Sequence, residues 1–122
     1  MNDGYVQIEE RETDRIAGML AQAITQSDEY ITYQNILKEI KEQPELYEQV
    51  NSLRRVNFMM QNGGDGHMSR EDYQSLSELS KNLRKDPLVN RFLDAEVGFG
   101  RLMQDINRII FDGIDFDNEF LN

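Results

Sequence analysis

Apolar positions in this chain recur three and four residues apart, and no stretch alternates as a half-buried strand would. The longest such pattern lies between Asp86 and Gly113. It opens on Asp-Pro, runs 25 residues and closes on glycine. Leu88, Phe92, Ala95, Phe99, Leu102, Ile106 and Ile109 are spaced 4, 3, 4, 3, 4, 3, which is a heptad seam. Val89, Leu93, Met103 and Ile110 form a second stripe beside it, so the apolar face is wider than a two-stranded zipper needs. The spacing predicts one long helix packed along most of its length.

Shorter patterns precede it. A first helix is expected from about Glu9–Thr13 to Gln26, with Ile16, Leu20, Ala23 and Ile24 as its buried stripe. Ser27 is a favourable N-cap with Asp28 and Glu29 behind it, and the helix it opens buries Tyr30, Tyr33, Leu37 and Ile40. Whether Ser27 breaks or only bends a continuous helix is left open by the sequence. Pro44 suits a first helical position. Leu46, Val50, Leu53 and Met60 follow it, flanked by Val56 and Met59, with Asn57 in the vacant seam position where a polar residue can set register. The run Asn62-Gly63-Gly64-Asp65-Gly66 stops that helix. Ser69 and Asp72 form a capping-box variant for the next, which carries Tyr73, Leu76, Leu79 and Leu83.

Composition narrows the function. With 13 basic and 23 acidic residues the formal charge is −10, so direct nucleic-acid binding is not expected. The nearest basic cluster, Lys81, Arg84, Lys85 and Arg91, reads as cations at a helix C-terminus, with a docking patch as the sharper alternative. The absence of cysteine excludes disulfides, thiolate catalysis and zinc–cysteine sites. No apolar run approaches membrane-spanning length, and Met1 to Glu10 has neither the basic nor the apolar region of a signal peptide, so a cytoplasmic location is expected. The acidic pairs Glu9-Glu10, Asp28-Glu29 and Glu71-Asp72 read as solvated faces and helix N-terminal charges. His67 is the only histidine and sits in a glycine turn, a poor platform for acid–base catalysis. No catalytic, cofactor or metal residue is assigned, and no enzyme activity is expected.

One stretch has a second reading. Residues 61–72 resemble the latter half of an EF-hand calcium loop, with Asp65, Gly66, His67, Ser69 and Asp72 at positions five, six, seven, nine and twelve. Gln61 and Gly63 stand where carboxylates should supply charge and coordination, and Asp72 is shorter than the usual bidentate glutamate. A calcium-responsive helical module is therefore the alternative function. A glycine turn followed by an N-cap is the preferred reading.

Three segments resemble a known family. Ala21 to Tyr33 is similar to an opening A-x-x-I-x-x-S-x-E-Y-x-x-Y, Pro44-Glu45-Leu46 starts a middle helix, and Asp86 to Glu96 resembles N-P-x-V-x-x-Y-L-x-A-E, followed by Ile106-Asn107-Arg108-Ile109-Ile110. Their order and spacing over Ile16 to Ile110 resemble the YlbF/YmcA family of small helical bacterial regulators. The resemblance implies an all-helical fold and a non-catalytic cytoplasmic role through contacts with paralogues and a further partner. It also implies an influence on competence, sporulation, biofilm formation and RNA processing through the endoribonuclease RNase Y. Some members bind iron–sulfur clusters through cysteines. This chain has none, so no cofactor is carried over.

The expected fold class is all-α, an antiparallel bundle of four to five helices with a long C-terminal helix, forming an oligomer. Residues 1–8 are expected to be a flexible N-terminus, 9–113 the helical domain and 114–122 an acidic–aromatic tail. The expected function is a regulatory adaptor whose partners are a second copy (a homodimer), helical paralogues or a ribonuclease complex, with no membrane. Leu88, Phe92, Phe99, Leu102, Ile106 and Ile109 are the candidate bundle seam or interface.

Overall fold

A computed structural model of the chain describes residues 10–61, 69–115, 117 and 119–121. Five α-helices and no strand occur among them: α1 (Glu12–Thr25), α2 (Asp28–Lys41), α3 (Pro44–Gln61), α4 (Arg70–Leu83) and α5 (Pro87–Asp112), followed by a single 3₁₀ turn at Glu119–Leu121.

The boundaries follow local hydrogen bonding. Ser27 is extended (φ −73°, ψ 152°), so it breaks the helix rather than bending it, and its Oγ accepts from the Tyr30 N–H at 3.1 Å. Ser69 Oγ accepts from the Asp72 N–H at 3.0 Å, while Asp72 Oδ2 accepts from the Ser69 N–H at 3.2 Å, the reciprocal box that opens α4. Asp86 Oδ1 accepts from the N–H groups of Leu88 and Val89 at 2.8 and 3.4 Å, and Pro87 fills the first turn of α5 where no donor is needed.

The core lies where α2, α3 and the first half of α5 meet. Ile36 and Ile40 of α2, Val50 and Leu53 of α3, Leu83 of α4 and Leu88, Val89, Phe92 and Leu93 of α5 are its buried residues. No polar or charged residue is buried among the described residues. α2 packs chiefly on α5, and the two run antiparallel: Tyr30 meets Phe99, Tyr33 meets Phe92, and Glu39 pairs with Arg91.

Several stripes expected to be buried are not. α1 buries no residue at all: Ile16 is 51% exposed, Ala23 is exposed, and only Leu20 and Ile24 are half-covered. Its principal neighbour is α2, which covers one side and leaves the rest of the stripe open. Asn57 is exposed and sets no register in the core. Met60 is half-buried and Met59 exposed. On α4, Tyr73 and Leu79 are exposed, because that helix meets the core only through Leu83 and, in part, Leu76.

Candidate functional site

The most connected polar feature joins three helices. Arg54 of α3 donates from Nε to Glu96 Oε2 of α5 at 2.8 Å, from one terminal nitrogen to Asn51 Oδ1 at 2.9 Å, and from the other to the Tyr33 hydroxyl of α2 at 3.2 Å. Its guanidinium carbon lies 5.1 Å from the Phe92 ring centroid. Partial burial disfavours the charge on Arg54. The attraction of Glu96, aided by Tyr33 and by the hydrogen bond to Glu96, outweighs that and raises its pKa above the ordinary arginine value.

Below this pair lies an aromatic stack. Tyr33 stacks on Phe92 at 5.7 Å and on Phe99 at 5.8 Å, and Tyr30 meets Phe99 edge-on at 5.5 Å. The stack joins two of the sequence motifs, the Ala21-to-Tyr33 opening through Tyr30 and Tyr33 and the Asp86-to-Glu96 segment through Phe92. Ser27 and Asp86 cap α2 and α5, and Tyr30, Tyr33 and Phe92 pack the two helices together. Arg54 was not singled out by sequence. The signal that could have found it is its place four residues after buried Val50, at the margin of the α3 core stripe.

The seam of α5 divides into two halves. Leu88 and Phe92 are buried in the chain's own core. Phe99, Leu102 and Ile106 are half-buried, and Ile109 is 69% exposed. Ile110, Phe111 and Ile114 are also exposed at this end. Five exposed large apolar residues, Ile109, Ile110, Phe111 and Ile114 at this end and Ile16 on α1, are joined by exposed Met19 of α1.

The remaining candidates resolve as local structure. Arg84 reaches from the end of α4 to Asn90 at 2.7 Å and Asp94 at 3.0 Å, and Arg91 pairs with Glu39 at 3.5 Å. Of the calcium-like loop, Ser69 and Asp72 cap α4, whereas Asp65, Gly66 and His67 lie outside the described residues. Among the described residues no group of three or more His, Cys, Asp or Glu is placed to hold a metal ion, and no helix is long and apolar enough to cross a membrane.

The sequence profile of a family described as "Control of competence regulator ComK, YlbF/YmcA" matches residues 15–115, from α1 to just past the end of α5. The chain belongs to this family. Its description is regulatory, and the matched span holds the aromatic stack, the Arg54–Glu96 pair and the whole α5 seam. Among curated proteins the chain is similar to UPF0342 proteins from several bacteria. It is 28% identical to one from Staphylococcus epidermidis and 27% to one from Staphylococcus saprophyticus, each over 81% of this chain and 89% of the relative. One from Caldicellulosiruptor bescii is 25% identical over 85% of this chain and 89% of its own length. No solved structure matches the chain.

Proposed function

We propose that this protein is a non-catalytic regulatory adaptor that acts by protein–protein contact, with a second copy of itself or a helical paralogue as its immediate partner. The observation that carries the reading is the register of the α5 seam. One heptad runs from Leu88 and Phe92, buried in the chain's own core, to Ile109, which is 69% exposed. A heptad continued past the end of its own cover suits a surface completed by another helix.

By family resemblance, the assembly would act in the cytoplasm on competence, sporulation, biofilm formation and RNA processing, the last through a ribonuclease complex. Residues 9–113 would be the working unit and 114–122 a separate tail.

The test is sedimentation velocity of the native chain and of Ile109→Asp, over a micromolar range. Ile109 is exposed, so the variant keeps its helix content, and a charge on the seam dissociates the assembly. A native chain that stays monomeric throughout, both alone and mixed with its helical paralogues, overturns the reading.

A further inference from the structure

Beside the Arg54–Glu96 pair, α3 and α5 leave an open groove of about 910 Å³ on a different face of α5 from the seam. Phe58, Met59 and Val97 supply its apolar lining, at 65%, 68% and 47% exposure. Gly100 lies between them, and a Cβ placed there would meet nothing within 4 Å, so the groove is open above the helix backbone.

The charge of the groove runs against that of the chain. Arg54, Arg55 and Arg101 line it against a single acid, Glu96, in a chain of net charge −10. Arg54 is engaged by Glu96, and Arg55 reaches Glu48 at 3.2 Å. Arg101 is exposed and makes no ion pair among the described residues. An occupant complementary to this groove carries acids at its rim and large apolar side chains toward Phe58, Met59 and Val97.

We infer that the groove receives the C-terminal segment of a second copy of this chain, Ile114-Asp115-Phe116-Asp117-Asn118-Glu119-Phe120-Leu121. The segment mixes acids with large apolar residues, and its own chain leaves Ile114 and Phe120 exposed, Phe120 at 78%. Gly113 ends α5 in a right-handed conformation (φ −83°, ψ −4°), and the Ile114 N–H still donates to the Phe111 carbonyl at 3.1 Å. No residue beyond Gln104 lines the groove, so the described residues of the chain's own tail lie outside it and the site is free for those of a second copy. The inference goes beyond the adaptor reading and does not use Ile109.

The test places a photoreactive benzoylphenylalanine at position 120 of the full chain and mixes it with an unmodified, ¹⁵N-labelled full chain. After irradiation, the expected cross-link joins position 120 to the labelled copy at Phe58, Met59 or Val97. Arg101→Glu in the labelled copy removes most of that product, and Asp117→Lys in the photoreactive copy restores it. Cross-links confined to one chain, cross-links to another surface such as the Ile109 end of α5, or a yield indifferent to Arg101→Glu would each overturn the inference. Ile109→Asp separates the copies at the seam in sedimentation, yet irradiation still traps the weaker tail–groove contact at high concentration, so the two readings fail separately.

Discussion

Arg54 and Glu96 stand 42 residues apart in the chain, yet Nε and Oε2 meet at 2.8 Å, with Tyr33 and Phe92 in contact with the same guanidinium. α3 is thereby tied to both α2 and α5 through one side chain. Arg54→Ala removes a charge-assisted hydrogen bond, the bond to the Tyr33 hydroxyl and the cation–ring contact together. Both partners are about one-third exposed, so solvent screening reduces the loss to about 1–2 kcal/mol. Urea denaturation should show that loss for Arg54→Ala and most of it for Arg54→Lys, since an ammonium cannot present the planar fork. An unchanged midpoint in both would mean that the three-helix link contributes nothing.

Phe92 is fully buried between α2 and α3 and stacks on Tyr33. Phe92→Ala opens a cavity at the centre of a core that holds nine buried residues among those described, and should cost about 3–5 kcal/mol. With so small a core, the expected outcome is a large loss of cooperative thermal unfolding by circular dichroism. A melting curve like that of the native chain would place the stabilising contacts elsewhere.

Gly18 sits in the middle of α1, and a Cβ there would meet nothing within 4 Å. Gly18→Ala should therefore stabilise α1 by about 0.5–1 kcal/mol through helix propensity and the lower entropy of the unfolded chain. Because α1 buries no residue, the gain should appear as slower amide exchange within α1 and little change in α2 or α5. Slower exchange throughout the molecule would show that α1 unfolds together with the core.

The start of α1 depends on pH. The Arg11 guanidinium donates to Asp14 at 2.8 and 3.0 Å, the Arg11 N–H adds a bond at 3.3 Å, and the Asp14 carboxyl is held below its ordinary 3.8. A lowered carboxyl pKa favours the folded helix start above pH 3.8, and the contribution is lost as pH falls below that value through the depressed pKa. Amide shifts of residues 12–15 followed by NMR should move toward coil values in that window. In Asp14→Asn the same transition should be absent.

Element boundaries were legible in the sequence because capping chemistry is local. Ser27, the Ser69–Asp72 box, Asp86-Pro87 and Gly113 each act within a few residues, and each stands at a helix end in the structure. The α5 heptad was equally plain, since 3.6-residue periodicity needs no partner to be seen. The same periodicity misled on α1. Its stripe of Ile16, Leu20, Ala23 and Ile24 marks an apolar face but not what covers it, and within this chain that face stays largely open.

The sequence alone therefore determined the all-helical class, the places where helices start and stop, and the α5 seam that carries the candidate interface. Tertiary structure alone decided which half of that seam is core, that Asn57 faces outward, and that Arg54 bridges three helices. The physical reason is range. Caps and stripes arise from neighbours three or four residues away, whereas burial of Phe92 and pairing of Arg54 with Glu96 exist only once α2, α3 and α5 have met.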